Sequence, residues 1–298
     1  MALGAGLLAA CDPPPPPPPP PIAPTATVRD LSVGVTSRTF TDPTRDTPAF
    51  GWWPGSSGRM LPTRIWYPTS RANAPYPLVV FAHGYGVGPD AYATLLSRIA
   101  SAGYVVAAPL YPFLSGWPDG PTDTFDWEQK FADTQFVTDS MLLLNATDIW
   151  GFGGLIDPAR IAVAGHSDGA LISFGDGFVA WRNDPRVRAV VSYSAILNEP
   201  DTTYQPNGRA LLHILSDQDP YNDFGESVAW DHDNLADPRW TIALWNATHE
   251  GPYMDPSDPH FGLIVNATID FLDQELKGAS TFWMWLEVTT QPGLAAFV

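Results

Sequence analysis

Past residue 25 the chain alternates short, continuous apolar runs with longer segments whose apolar residues recur at helical spacing. Leu78-Val79-Val80-Phe81 and Tyr104-Val105-Val106-Ala107-Ala108 are runs of the first kind, and Pro109 halts the second. Such runs suit strands buried on both faces of a sheet. Arg160-Ile161-Ala162-Val163-Ala164 and the runs at 188–193, 210–215 and 241–245 repeat the pattern, and 28–35 and 63–67 read as strands of a leading antiparallel section. Helices are expected at 90–102, closed by Gly103, and at 131–144, where Phe136, Val137, Met141 and Leu144 share a face. Another opens at 170–174, and one closes the chain at about 263–276. Strands alternating with helices predict one α/β domain over 25–298, with a mostly parallel central sheet flanked by helices on both faces. Pro-, Gly- and aromatic-rich loops near 52–53, 110–126 and 197–207 fall beside strand ends, where ligands gather in open α/β sheets.

Composition narrows the partners. Fifteen basic residues against thirty-two acidic give a net charge of −17, with lysine only at 130 and 277. Nothing here could replace the counterions of phosphate, so nucleic acid is excluded as a partner and anionic membrane surfaces are disfavoured. The acidity reads as a solvated surface. The single cysteine, Cys11, leaves no disulfide framework and no Cys-based zinc site. It ends the short apolar run Leu8-Ala9-Ala10-Cys11, which resembles the lipobox of bacterial lipoproteins, cut before the cysteine that then carries lipid. The expectation is a signal over 1–11, lipidation at Cys11, and a secreted or cell-envelope-anchored protein held to the membrane only by lipid. Pro13 to Pro21 are unbroken proline and would form a stiff polyproline II spacer within 12–24. Asn-Ala-Thr sequons at Asn145, Asn246 and Asn266 are attributed to chance in a bacterial lipoprotein.

Between the run ending at Ala164 and the helical 170–174 lies Gly165-His166-Ser167-Asp168-Gly169. A serine between glycines at a strand-to-helix turn is a nucleophile elbow: strand and helix nearly touch, so a Cβ at either glycine would clash. A serine hydroxyl needs a base, and the base an orienting carboxylate. Downstream, the strand at 210–215 runs into Ser216-Asp217-Gln218-Asp219-Pro220, where Asp219 is the first choice of acid and Asp217 the fallback. The strand at 241–245 is followed by Asn246-Ala247-Thr248-His249, which places His249 where a general base belongs. Of the other histidines, His166 lies in the elbow, His213 in a strand and His83 in a glycine turn. His232 sits among alternating charges and reads as a solvated face, and His260 is a weaker rival base. An oxyanion hole needs two N–H donors. The backbone N–H of Asp168 supplies one, and His83-Gly84-Tyr85-Gly86 the other, through Tyr85 with Gly86 second. Tyr85 and Trp117 are the candidate substrate contacts. No metal or organic cofactor is required.

These residues carry a family likeness. From about residue 28 to 278 the chain resembles the α/β-hydrolase superfamily, and within it the dienelactone-hydrolase-like esterases. Cutinases (polyester hydrolases), chlorophyllases and platelet-activating-factor acetylhydrolase-like enzymes are wider relatives. The likeness rests on Arg64-Ile65-Trp66-Tyr67-Pro68, on Val80-Phe81-Ala82-His83-Gly84-Tyr85-Gly86, on Gly103 to Pro109, on Ile156 to Ser167, and on Thr268 to Asp273 before Leu276-Lys277-Gly278. It implies an α/β-hydrolase fold and a serine carboxylic-ester hydrolase with Ser167, Asp219 and His249 as nucleophile, acid and base. The substrate would be a small or polymeric ester and the enzyme a monomer. An amidase or peptidase on the same triad is the alternative, and a non-catalytic surface-anchored binding protein the alternative of another class. Serine stands where dienelactone hydrolases use cysteine, Ala170 where a second glycine is common, and Asp168 where relatives carry a small or apolar residue. A carboxylate there opposes an oxyanion unless it points away or is paired.

Overall fold

A computed structural model describes residues 29–115, 122–124, 126–195, 204–280 and 282–298. The expected signal, the Cys11 lipidation site, the proline spacer and Trp117 lie outside the described residues. Among the described residues nine strands form one sheet: β1 (Val33–Asp42), β2 (Arg59–Pro68), β3 (Tyr76–Ala82), β4 (Val105–Pro109), β5 (Ile156–His166), β6 (Val187–Tyr193), β7 (Ala210–Ser216), β8 (Arg239–Leu244) and β9 (Ala295–Phe297). Their order is β1-β2-β4-β3-β5-β6-β7-β8-β9. The strands from β4 to β8 run parallel, and β1, β2 and β9 add antiparallel edges. The leading strand begins later than the expected 28–35. Its side chains alternate between half-buried and exposed, as an edge strand with one wet face requires.

The continuous apolar runs are central because both of their faces are covered. Val79 and Phe81 of β3, with Val106 and Ala108 of β4, face α1 (Ala93–Ser101) and α6 (Phe261–Lys277) through Leu95, Ile99, Ile264 and Phe271. Leu78 and Val80, with Val105 and Ala107, face the opposite layer of α2 (Gln129–Thr147) and α3 (Asp168–Phe178) through Val137, Met141 and Phe174. This period-2 partition places helices on both sides of the sheet. Three helices fall outside the expected set: α4 (Phe224–Asn234), α5 (Gly251–Met254) and α7 (Phe282–Thr289). The helix expected at 90–102 begins with a 3-10 turn, Pro89–Tyr92, before α1 proper.

The strand order sets the position of the site. The chain passes from β3 to β4 on one side and then returns to place β5 on the other side of β3. The carboxyl ends of β3 and β5 thus flank the point where the winding reverses, the place where open α/β sheets leave a crevice.

Candidate active site

Ser167 joins β5 directly to α3, with φ 57° and ψ −126°, a conformation that a side-chain-bearing residue adopts only when its surroundings impose it. Those surroundings are the two glycines. A Cβ on Gly165 would lie 2.1 Å from the carbonyl oxygen of Gly169, and one on Gly169 would lie 2.1 Å from that of Ala82. The Ser167 N–H donates to the Tyr193 carbonyl of the neighbouring strand at 2.9 Å, fixing the turn from the other side.

The loops after β7 and β8 meet beside it. His249 Nδ1 lies 2.6 Å from Asp219 Oδ2, and both side chains are buried. Asp219 Oδ2 also accepts from Asn222 Nδ2 at 2.9 Å, and its Oδ1 accepts from the N–H groups of Tyr221 and Asn222 at 2.9 and 3.3 Å. Burial alone would raise the Asp219 pKa. The His249 contact and the two backbone donors outweigh it and hold the carboxylate below its ordinary value. Asp217 is engaged elsewhere: its Oδ1 accepts from the Ala247 N–H at 3.2 Å. Ser167 and His249 line one cavity of about 400 Å³ with Tyr85, Asp168, Tyr221 and Glu250. Among the described residues no hydrogen bond joins them directly; catalytic contacts of this kind often tighten only with substrate in place.

The loop after β3 is held by His83, which is buried. Its Nε2 accepts from the Tyr111 N–H at 3.1 Å, so the proton resides on Nδ1, which donates to the Gly84 carbonyl at 2.9 Å. Burial lowers this histidine's pKa to about 4, with the Lys130 charge adding to the effect, and the ring is neutral. Since carbonyl and N–H oppose each other across a trans peptide, tying the Gly84 carbonyl to His83 turns the Tyr85 N–H away from it. That N–H makes no hydrogen bond among the described residues, whereas the Gly86 N–H, the second choice of oxyanion donor, already donates to Leu114 at 2.8 Å. Asp168 is half-buried, lines the cavity and does not stand without a partner.

The remaining histidines lie apart from the cavity lining. His213 is buried against Asp231 at 2.6 Å, His260 bonds Asp258 and the Trp245 carbonyl, and His232 is exposed beside Asp233. Two contributors escaped the sequence reading. Asn222 locks Asp219, and its place three residues on, in Asp219-Pro220-Tyr221-Asn222, is a turn signal that could have flagged it. Tyr221 stands edge-on to the His249 ring with centroids 4.8 Å apart, and no sequence pattern marks it. Trp52 and Trp53 are absent from the described lining of the cavity.

Comparison with known proteins bears on the fold. A family model described as Chlorophyllase matches residues 56–198, a span that takes in Tyr85 and Ser167 and stops before Asp219 and His249. No curated protein matches the chain. Among solved structures, a ferulic acid esterase from Streptomyces cinnamoneus superimposes with a TM-score of 0.69 at 19% identity, over 92% of this chain and 98% of that one. The chain has the α/β-hydrolase fold.

Proposed function

We propose that this protein is a serine carboxylic-ester hydrolase. The observation that carries the reading is the convergence of three loops on one cavity: a strained elbow presenting Ser167, a buried Asp219–His249 pair, and the Tyr85 N–H, which makes no hydrogen bond among the described residues. Asp219 accepts from Nδ1, which leaves Nε2 of His249 as the basic nitrogen. In the first half-reaction Ser167 Oγ bonds to the ester carbonyl carbon while its proton passes to Nε2. The oxyanion is held by the N–H groups of Tyr85 and Asp168, the latter at the N-terminus of α3. Collapse breaks the bond to the alcohol oxygen, which takes the proton from Nε2, and the acyl group stays on Ser167. In the second half-reaction water gives a proton to Nε2 as its oxygen bonds to the acyl carbon; collapse breaks the bond from that carbon to Ser167 Oγ, Oγ takes the proton from Nε2, and the acid leaves.

The test is hydrolysis of p-nitrophenyl butyrate, with fluorophosphonate labelling of Ser167. Ser167→Ala is expected to abolish labelling and to cost several orders of magnitude in rate. A Ser167→Ala protein hydrolysing at the wild-type rate overturns the proposal. For substrate class, the names of the matched family and structure nominate chlorophyll and ferulate esters. A screen of these with alkyl esters of increasing acyl length, a polyester film and a matched anilide separates small-ester, polymer and amide activities. For the N-terminal segment the reading remains a lipid anchor at Cys11, which radioactive palmitate should label in wild type and not in Cys11→Ala.

A further inference from the structure

His166 and Tyr92 lie under the site, fully or almost fully buried, and the mechanism above uses neither. His166 is the last residue of β5, and Tyr92 closes the 3-10 turn before α1. Between them they bond two loops. The Gly84 N–H donates to Tyr92 Oη at 3.1 Å, Tyr92 Oη lies 2.9 Å from His166 Nδ1, and His166 Nε2 lies 2.7 Å from the backbone carbonyl of His249. The carbonyl end and a neutral ring together place the protons of this chain. A carbonyl can only accept, so Nε2–H donates to His249; in a neutral ring Nδ1 then only accepts, and the Tyr92 hydroxyl donates to it while its oxygen accepts from Gly84. The neutral imidazole in the Nε2–H tautomer satisfies all three bonds. Burial, with the neighbouring His249 adding to it, lowers the His166 pKa to about 3 and keeps that form throughout the neutral range.

Many buried histidines do no more than satisfy their own hydrogen bonds. What sets this one apart is where its chain ends. Gly84 immediately precedes Tyr85, the candidate oxyanion donor, and His249 is the candidate base. Asp219 holds the His249 side chain while His166 holds its backbone. The rings reinforce the bonds: the His166 ring packs tilted against those of His249 and Tyr253, with centroids 4.7 and 4.9 Å away. Gly84 rests directly on the pair, since a Cβ there would meet Ser167 Cβ and Tyr92 Oη at 3.2 Å each and His166 Nδ1 at 3.3 Å.

We infer that His166 and Tyr92 are positioning residues that lock the oxyanion loop to the base loop through one directed hydrogen-bond chain, so that donor and base hold their spacing to Ser167 together. This rests on the serine-hydrolase reading. The experiment measures kcat and KM for p-nitrophenyl butyrate per mole of folded protein, judged by circular dichroism, in Tyr92→Phe, His166→Gln, His166→Leu and the Tyr92→Phe/His166→Gln double variant. Tyr92→Phe removes one oxygen and keeps the ring, so the packing survives.

We expect Tyr92→Phe to lower kcat about tenfold or more with KM within about twofold, because small misplacements act on the transition state more than on binding. His166→Gln, which can still donate to the His249 carbonyl, should retain more activity than His166→Leu. The double variant should be little worse than the more damaging of its two singles, because both break the same chain. Unchanged kcat in Tyr92→Phe, or strictly additive losses, overturns the inference while leaving the esterase reading intact. Wild-type activity that does not depend on Ser167, or no wild-type activity on any ester, fells the esterase reading first and the inference with it.

Discussion

Replacing Asp219 by asparagine tests the logic of the site most sharply, because the structure dictates how the amide must sit. Oδ1 of Asp219 accepts from two backbone N–H groups, those of Tyr221 and Asn222. Neither can accept, so the asparagine oxygen must occupy that side and its NH2 must take the place of Oδ2. There it faces His249 Nδ1 and the Nδ2 amide of Asn222. Turning Asn222 over would relieve the second clash, since its Oδ1 has no partner among the described residues, but would forfeit its 3.0 Å bond to the Ser194 carbonyl. In either arrangement the new NH2 donates to Nδ1 of His249, so the imidazole proton moves to Nε2. A protonated Nε2 cannot take the proton of Ser167. A wrong tautomer with the geometry otherwise intact costs about 10⁴-fold in kcat, or about 5 kcal/mol of transition-state stabilisation. Asp217→Asn is the control: its one accepted bond, from Ala247, can be kept by an amide oxygen, so kcat should stay within about threefold, the range of surface changes. The assay is steady-state hydrolysis of p-nitrophenyl butyrate by both variants and wild type, with thermal melts to confirm folding. If Asp219→Asn keeps more than a tenth of the wild-type kcat, or Asp217→Asn is the more damaging, the assignment of the acid is wrong.

Other expectations follow from buried groups. Gly169→Ala puts a Cβ 2.1 Å from the Ala82 carbonyl oxygen, a backbone atom that cannot swing aside. The variant should lose both fluorophosphonate labelling and several degrees of melting temperature, and wild-type labelling would refute the elbow packing. Arg59 is fully buried and bonds both oxygens of Asp133 at 2.6 Å and Asp126 at 2.6 Å. Arg59→Ala removes the cation that these carboxylates share, leaving Arg45 to Asp133 and Lys130 to Asp126, and should cost about 3 kcal/mol in urea unfolding; a loss under about 1 kcal/mol would show that the cluster is not coupled to folding. Asp176 is buried, and desolvation first, with the charges of Asp184 and Asp133 adding, raises its pKa well above the ordinary 3.8. The unfolded chain therefore releases this proton above pH 3.8 while the native state keeps it, so stability falls as pH rises. Asp176→Asn, the shape of the protonated form, should be more stable than wild type at pH 8 and lose that advantage near pH 4. An equal gap in urea midpoints at both values refutes the assignment.

What the sequence made legible follows one physical division. Strands buried on both faces announce themselves as unbroken apolar runs, so β3, β4, β6, β7 and β8 were readable to within a few residues. The elbow was readable because steric crowding leaves glycine as the only choice on either side of Ser167. Elements whose stability comes from elsewhere were silent. Helix α4, Phe224-Gly225-Glu226-Ser227-Val228-Ala229-Trp230-Asp231-His232-Asp233-Asn234, is mostly polar, and it buries Asp231 because His213 and Thr241 on two strands bond it. The three residues of β9 are strand only because β8 offers an unpaired edge. The site divides in the same way. Ser167, Asp219 and His249 could be located by their place after strand ends, because the fold puts those loops on one edge of the sheet. Their support could not be located, because it runs between groups far apart in the chain: Tyr92 to His166, Asn222 to the Ser194 carbonyl, His83 to Tyr111. A strand-end position tells which residue is presented, and it carries no information about what holds that residue still. For the ester hydrolysis proposed, whose barrier depends on placement to within about an ångström, that second layer is needed beside the three presented side chains, and the Tyr92–His166 chain is its most direct expression.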